Sequence, residues 1–375
     1  LAEALLIPLP RLLESFMTSD GTLRLGPVIG ILMEPYILSR GHVVNIKAGY
    51  LERLAATQCE EPYICYLFQI GDVDFSQRTV KAAVPAKTDK GDICLSMRKM
   101  PLPDVIHNRL FRFRSETTDS FNKLAAMSQS GEIPMFNPVF VKKHTMHECF
   151  RKVPDVFRYI PETVLEPTPE HLKALLSKYK TVYLKPVHGS LGFGIIQVGK
   201  NPGGGYVCRF RREGSNKSVV YGSLNALMKR RFRKKQLSGY ILQQGIELMT
   251  YRGAPFDFRL HLHKDRIRGW QVTAVAAKVA GKGNITTHQR YGGTIMDAEA
   301  VLEKVSPDRR MKMLRELSQA AVEAAVAVEV FTDGEFGEFG VDACFDKKGN
   351  IWVFEVNSKP GRSIFRLPSM KTADE

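Results

Sequence analysis

The stretch VDACFDKKGNIWVFEVNSKPG at residues 341–361 predicts a β-hairpin that gathers three oxygen-bearing side chains. Residues two apart in a strand share a face, so Glu355 and Asn357 point the same way. The turn DKKGN, in which Gly349 can take a positive φ, folds Asp342 back across from the second strand. Hard cations such as Mg²⁺ prefer oxygen ligands. The hairpin therefore indicates a metal site, although acidic residues near hairpin ends are also common without one.

The same alternation makes predictions about the rest of the hairpin. Trp352, Phe354 and Val356 are expected to point away from the acidic side chains and into a core. Asp346 lies in the turn itself, where an aspartate more often stabilises the turn than binds a metal.

The composition indicates a soluble globular protein in a reducing compartment. The chain has 375 residues, of which 44% are hydrophobic and 25% are charged. No apolar run approaches the ~20 residues that cross a bilayer, and the N-terminal residues lack the basic start of a signal peptide. The six cysteines show no metal-binding spacing. These features predict a cytoplasmic protein without a zinc site or a disulfide framework.

A net charge of +15 favours anionic partners, which include nucleotides, acidic peptides, polyanions and anionic surfaces. Part of this charge is local, because ten lysines and arginines and one acid, Glu213, lie between Arg209 and Lys235. This run is interpreted as a polyanion-binding patch, a lid that faces phosphates, or a solvated helix face.

The N-terminal part of the sequence predicts a small α/β domain over residues 1–130. Apolar runs at 25–33 and 63–70 predict buried strands, and 101–114 predicts a turn followed by a strand. The turn-rich composition of 127–138 marks the boundary.

The second part, residues 131–375, predicts a larger domain of mixed helices and strands. Residues 141–152 are expected to be helical, and 168–180 predicts a helix that Thr168 caps and Pro169 begins. Ser306 and Pro307 open a long helix whose apolar side includes Met311, Leu314, Leu317, Ala321 and Val328. Strands are predicted at 181–187, 240–248, 257–263 and 270–279.

A glycine-rich segment, YLKPVHGSLGFGI at 183–195, suggests a phosphate contact. It places Lys185 near the end of a strand and then a loop with Gly189, Gly192 and Gly194. Glycines let backbone N–H groups approach phosphate oxygens, and a lysine adds a point charge. The segment fits neither a Walker A loop nor GxGxxG, so a hairpin over the phosphates and a plain β-turn are both open.

The connector YILQQGIEL at 240–248 loses its strand alternation at QQGIE. Such a segment can contact an adenine ring through its backbone. Gln243 is a candidate for the adenine amino group, Ile246 for backbone contacts and Glu247 for the ribose hydroxyls. Each of these signals is weak alone.

The ordered set of these segments resembles the ATP-grasp superfamily, and most closely its endospore coat-associated YheC/YheD group. The segments that carry the resemblance span about 100 to 361 and are PLPDVIHNRL, YIPET, YKTVYLKPVHGSLGFGI, YILQQGIEL, GAPFDFRLHLHKD, GWQVTAVAAKVAGKGNITT, RYGGT and FGVDACFDKKGNIWVFEVNSKPG. The resemblance implies an α/β fold in which two α+β subdomains, at about 181–245 and 246–375, grip ATP. A small pre-ATP-grasp domain precedes them.

The resemblance also assigns residues to the site. Lys143, or its neighbour Lys142, and Lys185 are expected to hold the α- and β-phosphates. The lid loop from His188 to Gly194 contributes His188, Gly189, Ser190, Gly192 and Gly194. The adenosine pocket is expected to be formed by Gln243, Gln244, Ile246 and Glu247. Mg²⁺ or Mn²⁺ is assigned to Asp342, Glu355 and Asn357. Arg259 and Lys278 are expected to face the γ-phosphate and the developing acylphosphate. Gly292 and Gly293 are assigned to the carboxylate substrate.

The activity that the resemblance implies is an ADP-forming ligase that makes a C–N bond. ATP phosphorylates a carboxylate, and an amine attacks the acylphosphate. Its expected partners are a carboxylate and an amine acceptor, such as an acidic peptide or polymer of the spore coat, and not nucleic acid. A nucleotide-binding coat protein with little turnover and an ATP-grasp phosphotransferase are the alternatives.

Two positions differ from the pattern of related sequences and bear on substrate recognition. Lys278 stands where arginine is common, and His288 stands where asparagine is common. In the PDVIHNRL segment, Asn108 and Arg109 are interpreted either as residues of the active-site cleft or as a structural turn.

Overall fold

A computed structural model of the chain describes residues 15–17, 23–25, 27–36, 38–39, 42–43, 63–87, 93–187, 192–212, 214–232, 237–265 and 267–370. The chain divides into two compact units. The first contains Leu1–Phe140 with Lys264–Gly269 and Asp333–Glu338, and the second contains Val141–His263, Trp270–Thr332 and Phe339–Glu375. The domain limits expected from the sequence, at 130 and at 245, stay predictions.

The first unit contains a mixed sheet and one α-helix among its described residues. Its elements are β1 (Ser15–Met17), β2 (Leu23–Leu25), β3 (Val28–Met33), β4 (Leu38–Ser39), β5 (His42–Val43), β6 (Ile64–Gln69), β7 (Val73–Asp74), β8 (Thr79–Lys87), β9 (Ile93–Pro101), β10 (Val105–Asn108), α1 (Asp119–Gln129) and β11 (Met135–Phe136). The main sheet has the order β11-β10-β3-β6-β8-β7, and β9 pairs with β8. The strands predicted near 25–33, 63–70 and 101–114 are therefore confirmed.

The strands β11, β10, β3 and β6 run parallel to one another and form one side of this sheet, with β11 at its edge. Five of the six residues of β3 are buried, as expected for a parallel strand that is covered on both faces. Gly30 allows this close packing, because a Cβ there would lie 2.7 Å from Pro103 Cγ and 2.9 Å from Phe68 Cε1.

The first part of the second unit contains an antiparallel sheet, and two of its four described helices pack on one face of this sheet. Its elements are α2 (Lys143–Arg151), α3 (Pro154–Phe157), β12 (Thr163–Val164), α4 (Pro169–Lys178), β13 (Thr181–Pro186), β14 (Ile196–Lys200), β15 (Tyr206–Arg212), β16 (Ser215–Tyr221), α5 (Leu224–Arg231) and β17 (Tyr240–Gln244). The strand order is β12-β17-β13-β14-β15-β16. The predicted helices at 141–152 and 168–180 are confirmed.

Alternation along β13 separates the two faces of this sheet. Val182 and Leu184 are fully buried in a core that includes Leu172, Leu175 and Leu176 of α4. The side chains between them, Tyr183 and Lys185, therefore lie on the opposite face, which carries the polar residues of the sheet. This opposite face is called the open face below.

The second part of this unit is a sheet of the order β21-β20-β19-β22-β23, with β18 paired to β19. Its elements are β18 (Thr250–Tyr251), β19 (Ala254–Lys264), β20 (Trp270–Val279), β21 (Thr294–Asp297), α6 (Ala298–Val305), α7 (Arg310–Val330), β22 (Glu338–Phe345) and β23 (Ile351–Asn357). All eight residues of β22 are buried.

The helix α7 confirms the long helix expected after Ser306 but shifts its apolar side. Leu317, Ala321 and Val328 are buried as predicted, whereas Met311 is 52% exposed and Met313 is buried instead. Two residues correspond to roughly 200° around a helix, so Met311 and Met313 lie on opposite sides. Among the described residues, no helix is both long and apolar enough to cross a bilayer.

The start of α4 provides a test of local structure. Thr168 Oγ1 accepts a hydrogen bond from the His171 backbone N–H at 3.3 Å, and His171 Nδ1 accepts one from the Thr168 N–H at 3.2 Å. Replacing Thr168 by alanine removes the first bond and should lower the free energy of unfolding of the second unit by about 1 kcal/mol. Urea denaturation measures this. Thr168→Ser keeps the hydroxyl and should restore stability, and equal losses in both variants would argue against the cap.

Candidate functional site

The hairpin of β22 and β23 brings its polar side chains together as the sequence predicts. Asp342 lies directly across from Glu355, and Asn357 Nδ2 lies 3.4 Å from Asp342 Oδ2. Asp346 accepts hydrogen bonds from the backbone N–H groups of Lys348 and Asn350, each at 2.9 Å, so it stabilises the turn as expected.

A β-bulge changes the hydrophobic side of this hairpin. The register passes from Asp342↔Glu355 to Ala343↔Val353, which leaves Phe354 as the extra residue. Val353 and Val356 are fully buried, while Trp352 and Phe354 are only partly buried. The prediction that Trp352, Phe354 and Val356 all point into a core is therefore wrong for the first two, because the bulge breaks the alternation. Phe354 instead places its ring centroid 5.0 Å from Lys185 Nζ.

Two cations hold the carboxylate of Asp342. Arg259 donates to both carboxylate oxygens, from Nε at 2.9 Å and from Nη2 at 2.7 Å, and Lys278 Nζ donates to Oδ1 at 2.7 Å. Burial alone raises the pKa of Asp342, but Arg259 and Lys278 outweigh burial and hold that pKa well below its usual range. The carboxylate is therefore an anion at neutral pH.

A further carboxylate, Asp257, lies beside this group and was missed by the sequence interpretation. Its Oδ1 lies 3.0 Å from Lys278 Nζ without hydrogen-bond geometry, and its Oδ2 accepts from Thr287 Oγ1 at 2.6 Å. Burial raises the pKa of Asp257; Lys278 opposes that shift and Asp342 adds to it. The triplet DFR at 257–259 could have indicated it, since Asp257 and Arg259 are two residues apart on one strand and therefore share a face.

These oxygen donors fit a hard divalent cation. Asp342, Glu355 and Asn357 supply two carboxylates and an amide at one end of the hairpin, and Asp257 Oδ1 is a buried oxygen without a hydrogen-bond partner among the described residues. Mg²⁺ prefers such oxygen ligands. The side chain of Glu355 is 33% exposed and forms an ion pair with Lys143, whose Nζ lies 3.3 Å from Glu355 Oε1.

Lys143, the first residue of α2, is thereby placed beside the hairpin. Lys142 is the residue that precedes the helix. The contact with Glu355 favours Lys143 over Lys142 as the residue of the site.

Lys185 lies at the end of β13 on the open face. Its Nζ donates to Gln243 Oε1 at 2.5 Å, and Gln243 Nε2 donates to Thr163 Oγ1 at 2.9 Å. Burial lowers the pKa of Lys185 to about 8; Glu355 opposes that shift and Lys143 adds to it. Gln243 thus orients the lysine, which is a role that the sequence did not suggest for it.

The remaining connector residues lie after β17. The side-chain oxygen of Gln244 accepts from the Glu162 N–H at 3.1 Å. Ile246 is partly buried, and Glu247 is exposed and pairs with Lys180 at 2.6 Å. Their assignment to an adenosine pocket stays a prediction.

The two glycine loops have backbone conformations that favour glycine. Gly192 and Gly194 take φ values of +73° and +70° between β13 and β14, whereas His188, Gly189 and Ser190 lie outside the described residues. Gly292 takes a φ of +84°. At Gly293 a Cβ would lie 2.1 Å from the Thr287 carbonyl oxygen, so no other residue fits there without a shift of the backbone.

In the first unit, Asn108 stabilises a turn. It is fully buried, donates to Glu116 Oε1 at 2.9 Å and to the Pro138 carbonyl at 3.1 Å, and accepts from the Leu110 N–H at 3.1 Å. Arg109 forms an ion pair with Glu338 of the same unit. These contacts favour the structural interpretation of the PDVIHNRL segment.

Comparison with known proteins shows which family this chain resembles. A model described as YheC/D like ATP-grasp matches residues 132–375. The endospore coat-associated protein YheD of Bacillus subtilis (strain 168) is 30% identical over 377 residues, which cover 100% of this chain and 81% of that protein. YheC of the same organism is 24% identical over 276 residues, which cover 72% of this chain and 74% of that protein. The D-alanine-D-alanine ligase from Coxiella burnetii superposes with a TM-score of 0.48 and 14% identity, covering 93% of this chain and 89% of that one.

The two carboxylates of the hairpin should differ in their effect on stability. Asp342→Asn leaves buried Arg259 and Lys278 without their shared anion and should cost about 3–5 kcal/mol. Glu355→Gln breaks one partly exposed ion pair and should cost less than about 1 kcal/mol. Chemical denaturation of both variants measures the difference, and similar losses would show that Asp342 is not the fixed centre of the site.

The low pKa of Lys185 predicts a pH dependence of stability. Between the folded pKa of about 8 and the usual value near 10.4, the unfolded chain binds more protons than the folded chain, so folding is increasingly favoured as pH rises. The free energy of unfolding of the wild type, relative to Lys185→Met, should therefore increase from pH 8 to pH 10. Parallel stability curves for the two proteins over this range would contradict the buried amine.

Proposed function

The chain belongs to the family of YheC/D-like ATP-grasp proteins, and on that premise we propose that it is an ATP- and Mg²⁺-dependent ligase that joins a carboxylate to an amine. One observation carries the proposal: the second unit gathers four cationic side chains around four oxygen-bearing ones. The cations are Lys143, Lys185, Arg259 and Lys278, and the oxygen donors are Asp257, Asp342, Glu355 and Asn357.

The lysines are suited to bind the nucleotide. Lys185 is held by Gln243 above the ring of Phe354, and Lys143 forms an ion pair with Glu355. Two ammonium groups near one carboxylate can each contact phosphate oxygens, because an ammonium group has three donors. We assign the α- and β-phosphates to these two residues.

The metal would be held by Asp342, Glu355 and Asn357, with Asp257 adjacent. When bound there, Mg²⁺ would supply charge neutralisation to the phosphate oxygens. The protein's own contribution is to keep Asp342 ionised and oriented, which Arg259 does through two hydrogen bonds.

Arg259 and Lys278 are suited to stabilise the charge that develops during transfer. The guanidinium of Arg259 has donors beyond the two that bind Asp342, so it can keep Asp342 in place and also contact a phosphoryl oxygen. In the proposed reaction the γ-phosphoryl group moves to a substrate carboxylate oxygen, which releases ADP. The amine nitrogen then attacks the acyl carbon, loses a proton and releases phosphate.

We also propose that this reaction serves spore-coat assembly, because YheD and YheC are named endospore coat-associated proteins. The sequence-based alternatives, an ATP-grasp phosphotransferase and a nucleotide-binding coat protein with little turnover, predict different products. Coat extract from cells that lack the chain supplies a source of candidate acceptors.

Trapping with hydroxylamine distinguishes these functions. The protein is incubated with Mg-ATP, coat extract and hydroxylamine, and products are identified by mass spectrometry. A ligase gives ADP and a hydroxamate, since hydroxylamine intercepts an acylphosphate. A stable phosphorylated product instead indicates a phosphotransferase, and the absence of extract-dependent ADP would contradict catalysis.

Glu355 should couple nucleotide affinity to Mg²⁺. Glu355→Gln removes one anionic ligand and should weaken the Mg²⁺-dependent part of ATP binding at least about tenfold, as changes at metal sites commonly do. Calorimetric titration of ATP at several Mg²⁺ concentrations measures this. Glu316→Gln on α7 is the control and should match the wild type. An unchanged Mg²⁺ dependence in Glu355→Gln would exclude this residue as a ligand.

A further inference from the structure

The strand β16 is an edge strand with an exposed surface. Among the described residues it pairs with β15 alone, in the register Arg211↔Asn216 and Arg209↔Ser218. The five residues from Asn216 to Val220 are all exposed, and Val220 is 57% exposed. An edge strand directs alternate N–H and C=O groups away from its partner, so β16 offers backbone groups for a further strand.

The hairpin formed by β15 and β16 is strongly basic. Arg209, Arg211 and Arg212 lie on β15, and Lys217 lies on β16. On the open face, Arg209 and Arg211 lie beside the short side chains of Ser218 and Asn216. Arg209 is exposed beside Ser218. Arg211 is half-buried: its Nη1 donates to Asn216 Oδ1 at 3.3 Å, and its Cζ lies 4.6 Å from the centroid of the Tyr291 ring.

A row of hydrogen-bonded side chains connects this edge to the candidate site. Arg209 Nη1 donates to Gln197 Oε1 at 3.4 Å, and Gln197 Nε2 donates to Tyr183 Oη at 2.7 Å. Tyr183 lies two residues before Lys185 on the same face of β13, and Gln243 lies across from it on β17. The basic edge and the site therefore share one continuous face of one sheet.

We propose, building on the proposed ligase function, that the β15–β16 hairpin docks an extended acidic polypeptide, which adds to the free edge of β16 as a further strand. Its carboxylates pair with Arg209 and Arg211 over the open face and with Lys217. The substrate of the site would then be an Asp- and Glu-rich polypeptide. The segment of this polypeptide that docks on β16 would lie outside the site itself.

A polypeptide fits this surface better than a nucleic acid does. A peptide backbone can pair with the N–H and C=O groups of β16, and recognition by strand addition takes its affinity from those bonds. A phosphodiester backbone has no N–H donors and uses only the positive charge. The exposed valines of β16 also suit the alternating side chains of a neighbouring strand.

Fluorescence anisotropy of a labelled Glu-rich peptide tests the proposal without nucleotide. A peptide of about seven residues matches the length of β16. The double variant Arg209→Gln/Arg211→Gln should bind it about tenfold more weakly than the wild type, since two charge pairs are lost. The matched control Lys229→Gln/Arg230→Gln changes two exposed cations on α5, the helix on the other face, and should bind like the wild type. Equal affinity for all three proteins would overturn the proposal.

Two further probes test strand addition. A Glu-Pro alternating peptide of equal charge lacks half of the backbone N–H donors and should bind more weakly. An oligonucleotide of equal charge should also bind more weakly, and tight binding of either probe would overturn the assignment. Hydrogen exchange of the wild type provides a readout independent of variants: Ser215–Tyr221 should become protected at alternate amides on addition of the Glu-rich peptide, and unchanged exchange would count against docking at this edge.

These measurements separate the docking surface from the reaction. Peptide binding without extract-dependent ADP would leave the docking surface standing and contradict the ligase function. If the Arg209→Gln/Arg211→Gln variant forms the hydroxamate and binds the peptide as tightly as the wild type does, the ligase function is supported and the docking surface is refuted.

Discussion

The arrangement of the second unit depends on one buried carboxylate, Asp342, and the two cations that hold it. Arg259 and Lys278 come from β19 and β20, and Asp342 comes from β22. Burying any one of these charges alone would be costly, so the three must be close together whenever the sheet is formed. The strand order β20-β19-β22 provides this closeness. The register of the sheet and the chemistry of the site are therefore set by the same contacts.

The second feature of the site is the contact between Lys185, on the open face of the sheet that contains β13, and the hairpin of β22 and β23. The bulge at Phe354 turns an aromatic ring out of the expected core and under the ammonium group of Lys185, while Glu355 faces Lys143. Burial makes the charged form of Lys185 less favourable, and a bound anion would reverse that penalty. A lysine held in this way gains more from a phosphate group than a lysine in water does, which fits the nucleotide-binding role proposed for it.

The sequence was sufficient to predict the order of the elements and which side chains meet in the hairpin of β22 and β23. Both follow from the alternation of side chains along a strand and from local turn chemistry. Asp342, Glu355 and Asn357 meet where alternation places them. It could not predict the bulge at Phe354, since one extra residue in a ladder leaves no local signature. The ion pair between Lys143 and Glu355 joins residues more than two hundred positions apart and is fixed only by packing. Asp257 could have been predicted as a residue of the site, because it shares a strand face with Arg259. An aspartate in a strand is not distinctive by itself, however.

Anomalous diffraction from crystals grown with Mn²⁺ and a non-hydrolysable ATP analogue is the most direct test of the central claim. We expect a Mn²⁺ peak about 2.1 Å from carboxylate oxygens of Asp342 and Glu355, with phosphate oxygens as further ligands. Lys185 and Lys143 should then contact the phosphates. A nucleotide bound elsewhere, or a Mn²⁺ peak away from the hairpin while Arg259 and Lys278 still enclose Asp342, would contradict it.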